Sequence, residues 1–173
     1  MPNWLIYGLL ASLCWGTYAV ISKIVTAEKY LGIQPGDASL LMLGGIATVF
    51  MLYFLSRQKM LSAPLKSVGV LLIVAILAYI IYTLKQGGVQ VSLPTVGFGL
   101  LQGALWAAGM VFAFMAFSVG AEAAKLVPIY NTNTLIAVIL GLLLLHEVPA
   151  SDERLKVIIG AILIVVGGIL TSR

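Results

Sequence analysis

LVPIYNTNTLIAVILGLLLL, Leu126 to Leu145, runs for 20 residues without a charge. At about 1.5 Å of rise per residue, such a helix matches a hydrocarbon core of about 30 Å. Close to its middle stand Asn131, Thr132, Asn133 and Thr134. Amides in lipid are costly unless they face a partner helix or a wet cavity. The span is therefore expected to point these groups inward and form one wall of an internal site. His146 and Glu147 end it at the water boundary. On a continuous helix Asn131 and Thr134 share a face, as do Tyr130 and Thr134, whereas Asn133 points elsewhere. Two readings stand open: the polar residues line a cavity, or they bond neighbouring helices.

Composition decides the solvent. The 173 residues are 61% hydrophobic and 9% charged, against about 25% charged in a soluble domain. So few charges cannot cover a globular surface, which makes this an integral membrane protein, one transmembrane domain over residues 1–173. The net charge is +4, but the basic residues lie scattered at helix ends and form no stripe, so no nucleic-acid partner is expected. The one cysteine, Cys14, allows no internal disulfide and no multi-cysteine metal site. No basic segment precedes the first apolar run, and that run is longer than a signal-peptide core, so a retained first helix is expected.

The chain reads as an all-α bundle with six candidate spans. The first is Trp4 to Val25, with Trp4 and Tyr7 at the interface. Its Gly8, Ser12 and Gly16 form a small-residue face for close helix approach. Lys23 follows one turn on, where it either snorkels to the surface or enters a cavity. The second span is Ala38 to Ser56, with Gly44-Gly45 as a close-packing point. Turn residues Gly32, Pro35 and Gly36 precede it, and the basic connection Arg57, Lys59, Pro64 and Lys66 follows. The third, Ser67 to Leu84, has few polar residues and is expected to face lipid. The fourth, Thr95 to Val119, carries a small face of Gly99, Gly103 and Ala107 and a row of Gln102, Trp106, Met110 and Phe114. That row is either helix packing or a binding wall. The fifth is the span quoted above, with Pro128 near its start, and the sixth is Val157 to Thr171.

Gly8-Leu9-Leu10 and Trp15 match Gly99-Leu100-Leu101 and Trp106 at an offset of 91, and Gly69 falls on Gly160 at the same offset. A three-helix unit repeated in tandem lies the opposite way up the second time, and inverted repeats are a transporter signature. With six spans, Arg57, Lys59, Lys66, Lys125 and Arg173 lie on one side and Lys23, Lys29, Lys85, Arg154 and Lys156 on the other. That balance gives the positive-inside rule no preferred orientation.

Several chemistries lack their residues. There is no phosphate-binding loop for ATP. One His and one Cys do not make a transition-metal site, no nucleophile-and-base set points to an enzyme, and no cofactor is expected. Glu28, Asp37, Glu122, Glu147, Asp152 and Glu153 all fall at helix ends or in connections. Proton-coupled carriers place such an acid at mid-membrane. What remains is a neutral, aromatic interior of Trp15, Tyr18, Trp106, Tyr130, Asn131 and Thr134. Amides and hydroxyls both donate and accept hydrogen bonds, and aromatic faces hold apolar or cationic groups. Such a lining suits a small polar or zwitterionic metabolite, with Lys23 as a candidate for its carboxylate. The rival is a membrane scaffold whose polar residues only join helices.

Leu13-Cys14-Trp15-Gly16-Thr17-Tyr18-Ala19-Val20-Ile21-Ser22-Lys23 resembles the opening W-G…K segment of EamA-domain proteins of the drug/metabolite transporter superfamily. Gly120 to Ile129 resembles the segment that leads into the fourth helix of that domain. Leu144-Leu145-His146-Glu147 and Ile159-Gly160-Ala161 to Gly167 resemble its end. The resemblance covers about two thirds of the chain. It implies a multi-pass carrier of the cell (plasma or inner) membrane for amino acids, sugars or nucleosides, working by alternating access. It also implies a homodimer, because full-length relatives have two such domains and this chain has one. Gly16, Pro128 and Glu147 would then be structural or gating residues. The family domain has five helices, so Ser67 to Leu84 either is an extra span or does not cross.

Overall fold

The structure, a computed structural model, describes residues 2–58, 63–89 and 91–171. Lys59 of the basic connection and Arg173 of the charge balance lie outside them. The described residues form helices and no strands: α1 Asn3–Thr26, α2 Pro35–Arg57, α3 Ala63–Gln86, α4 Leu93–Ser118, α5 Ala123–Tyr130, α6 Asn133–Leu144 and α7 Arg154–Thr171. Among the described residues six spans are long and apolar enough to cross a membrane, with α5 and α6 together making one, Ala123–Leu144. Ser67 to Leu84 falls within a 22-residue apolar stretch, Leu65–Gln86, so by length and composition it qualifies as a span.

Helix boundaries follow local chemistry. Pro35 takes the first turn of α2, where its missing N–H costs nothing and its fixed φ suits the helix. The helix therefore starts before Ala38, on residues that read as a turn. Ser92 caps α4, accepting the Thr95 N–H at 3.2 Å. This satisfies one of the unpaired donors of a first turn.

The chain divides into two compact units. One comprises residues 21–107, and the other residues 1–20 with 108–173. The boundary runs through α1 and α4 and does not follow the two halves of the sequence echo.

In the first of these units α2, α3 and the start of α4 pack together. On α3 the buried residues are Gly69, Ile73, Ile80 and Leu84, a single stripe at helical spacing. Leu55 of α2 covers Gly69, and Gly44 receives Ile80 and Leu77. Beyond that stripe α3 is exposed, as at Leu71 and Tyr79. Between α2 and α4 the backbones touch. A Cβ on Gly45 would collide with the main chain of Leu100 and Ala104, and one on Gly103 with the Met42 carbonyl. Gly99 in turn receives the Leu41 side chain. The small face of α4 and the Gly44-Gly45 pair are thus two sides of one contact, as close packing in lipid requires. Gln102, 3% exposed, donates its amide to the Ala38 carbonyl at 2.9 Å. Of the two readings for its row, packing holds at Gln102.

Gly103→Leu is expected to lower stability by about 1–3 kcal/mol or more, because rigid backbone opposes the new side chain. Gly160→Ala in α7, where a Cβ meets nothing within 4 Å, is expected to be neutral or stabilising. Thermal unfolding of both variants in detergent checks the contrast.

Candidate functional site

The other unit holds the polar span. It contains the first part of α1, the end of α4, α5, α6 and α7. The span is not one helix. α5 stops at Tyr130 and α6 begins at Asn133. Here the structure corrects the expectation of a continuous helix from Leu126 to Leu145. The cause is local competition for the backbone, since Asn and Thr side chains offer main-chain groups alternative partners. Thr132 donates its hydroxyl to the Ile129 carbonyl at 2.7 Å. Thr134 donates to the Asn131 carbonyl at 2.9 Å. The main chain tightens to match. The N–H groups of Thr132, Thr134 and Leu135 reach back three residues, to Ile129, Asn131 and Thr132, the 3₁₀ pattern. Pro128 lies inside the eight-residue α5 and removes one of its few donors.

Helix α1 runs along this interrupted span, and its small residues meet it at three levels. A Cβ on Gly8 would lie 2.9 Å from Leu126 and 3.1 Å from Ile129 of α5. Ser12 pairs its hydroxyl with that of Thr132, at the break, at 2.8 Å. A Cβ on Gly16 would lie 2.6 Å from Ile136 and 2.7 Å from the Asn133 carbonyl of α6. No side chain fits at Gly16 against α6. Trp15 turns its ring edge-on to Tyr130, centroids 5.0 Å apart at 88°. Aromatic pairs favour that geometry.

A cavity of about 420 Å³ opens between the break and α7, lined by Pro128, Asn131, Asn133, Thr134, Leu163, Ile164, Gly167 and Gly168. The break changes which residues share a face. Asn133, which an unbroken helix turns away, lines the cavity beside Asn131 and Thr134. Tyr130 is not in that lining and stacks on Trp15 instead. Tyr18, half-buried on α1, is not in the lining either. Lys23 and Trp106 belong to the unit of residues 21–107. Lys23 is exposed and Trp106 is half-buried. Gly167 presents no side chain to the cavity, and a Cβ there would meet nothing within 4 Å, whereas one on Gly168 would press on Thr132 at 3.2 Å. These two glycines, and the Ser12–Thr132 bond, were not among the site residues expected from sequence. The glycine pair was a visible signal, whereas a hydroxyl pair 120 residues apart leaves none.

At the far end, α6 closes on His146, whose φ of 55° is left-handed. The Glu147 N–H returns to the Gly141 carbonyl at 3.2 Å. The main chain of Glu147, outside the apolar stretch, thus terminates the helix. Glycine usually fills such a cap.

Comparison of the chain with protein families, with curated proteins and with solved structures found no match. The fold and the break define a class, a polytopic α-helical membrane protein with one interrupted span.

Thr132→Val is expected to cost about 0.6–2 kcal/mol and Ser12→Ala a similar amount, with less than additive loss in the double variant. Unfolding of all three in detergent measures that coupling. His146→Gly is expected to raise stability by about 1 kcal/mol by relieving the left-handed conformation, read as a higher midpoint of thermal unfolding.

Proposed function

We propose that the protein is a membrane transporter of small polar metabolites, such as amino acids, sugars or nucleosides. The observation that carries this reading is the helix break at Asn131–Thr132, with Asn131, Asn133 and Thr134 lining a cavity of about 420 Å³. Transporter sites are typically built where a spanning helix is discontinuous near the bilayer midplane, and the break lies near the middle of Ala123–Leu144. The cavity size is that of a small-molecule site, about 300–1,000 Å³. Its polar groups are neutral, so recognition runs through hydrogen bonds from amides and a hydroxyl. The break supplies a hinge, about which α5 and α6 change tilt separately as access alternates.

The resemblance to EamA-domain proteins supports this reading and implies a carrier of the cell membrane. Pairing of two copies follows the same reasoning. Asn131 and Thr134 are exposed in one copy, and amides exposed to lipid are costly. A second copy covering the open side of the cavity removes that cost and completes a closed pathway.

One observation favours the scaffold reading, namely the Ser12–Thr132 bond, which joins two helices and lines no cavity. Flux separates the two. Purified protein in proteoliposomes is expected to take up at least one labelled amino acid, sugar or nucleoside. Asn131→Leu and Gly167→Leu are expected to cut that uptake about tenfold or more, as a lost hydrogen bond and a filled cavity would, while the protein stays folded. Unchanged uptake in both variants refutes the site, and no flux of any of these classes by folded wild type favours the scaffold.

A further inference from the structure

The unit of residues 21–107 contains a second cavity, of about 430 Å³, at one end of its helices. Residues at two connections build it: Tyr30 to Gln34 and Asp37 where α1 joins α2, and Gly87, Gly88, Val89, Ser92 and Thr95 where α3 joins α4. Both are tied down by main-chain bonds. Gly32 N–H reaches the Ala27 carbonyl and Ile33 N–H that of Val25. Gly88 N–H reaches Lys85, and Val89 N–H reaches Leu84. Beneath them lies a buried cluster of Val25, Ile33, Ala38, Leu41, Ile80 and Leu84. The cavity is thus preformed on a packed base, as small-molecule sites usually are.

Polar groups converge on it. The polar residues of its lining are Tyr30, Gln34, Asp37, Ser92 and Thr95. Ser92 and Thr95 bond each other at 2.9 Å, which fixes their oxygens in place. Asp37 is the one charged side chain of the lining. Among the described residues no hydrogen bond or ion pair holds its carboxylate. Its place in the first turn of α2 favours the helix dipole, which accounts for an acid there but not for the cavity before it. The uncompensated charge excludes an anion as the natural occupant. A divalent cation needs several oxygen ligands, and among the described residues no group of three acids, histidines or cysteines gathers. An ammonium group meets both conditions, since it carries positive charge and several donors that the carboxylate, the amide carbonyl and the hydroxyl oxygens accept.

We propose that this cavity binds the ammonium group of a small amine, free or as a lipid headgroup, with Asp37 as its counter-ion. The site is separate from the helix break and does not rest on the transport reading. Thermal unfolding of the whole protein in detergent tests it, with ethanolamine, choline, acetate and glycerol as probes. Ethanolamine is expected to raise the midpoint saturably, and acetate, glycerol and choline, whose nitrogen carries no N–H donor, are not. Asp37→Asn is expected to weaken that response about tenfold or more, the size of one lost charge-assisted bond. Val89→Trp, which fills the cavity without changing a charge, is expected to abolish it. Vesicles of phosphatidylethanolamine against phosphatidylglycerol separate the two sources. Stabilisation by phosphatidylethanolamine without a response to free ethanolamine assigns the headgroup, and a response to free amine assigns a soluble ligand. The proposal is overturned if neither amines nor phosphatidylethanolamine stabilise the protein, if acetate does so instead, or if Asp37→Asn responds as wild type does. Should Asp37→Asn fail to fold, an undiminished response in Val89→Trp overturns it as well.

Discussion

Three small residues of α1 hold the polar span in place. Gly8 admits α5, Ser12 bonds the break, and Gly16 admits α6. In lipid, no hydrophobic force draws helices together, so close packing and interhelical hydrogen bonds must do so. Both appear here on one stripe, in register with the discontinuity. The break could not be left to lipid, because tightened backbone and hydroxyl groups need internal partners. Ser12, 1% exposed, supplies one at that level. The stripe leaves the opposite side of the break open toward α7, where Gly167 adds no side chain to the space that Asn131, Asn133 and Thr134 line.

The same device recurs between α2 and α4, with a different outcome. Gly45 and Gly103 bring two unbroken helices into backbone contact, and Gln102 spends its amide on the Ala38 carbonyl. That contact is closed by main chain against main chain. The polar space of this unit lies instead in its connections, where Pro35 starts α2 and Ser92 caps α4. A small residue against backbone and a buried amide with a partner build rigid structure. Amides without such a partner, at a break, line an open cavity.

Much of the fold was legible in the chain. The six spans follow from apolar length, which needs no knowledge of neighbours. The glycine faces of α1, α2 and α4 were legible because small residues at four-residue spacing have one physical use in lipid. The candidate site was legible in part. Asn131 and Thr134 stood out as polar residues in an apolar run, and both line the cavity. Asn133 was assigned elsewhere because a helical phase carries across a span only if the span is unbroken. Trp15 and Tyr130 were grouped with the amides by chemical kind, and the structure pairs them with each other.

What the sequence determined by itself is therefore the solvent, the number of spans and the faces on which helices approach. These depend on each residue's transfer into lipid and on spacing along one helix. Tertiary structure decided which polar groups are consumed and which remain available. Thr132 is consumed because Ser12 reaches it from α1, and Asp37 stands at a cavity because two distant connections meet around it. Such outcomes depend on distances between residues far apart in the chain. No periodicity within a single helix encodes them.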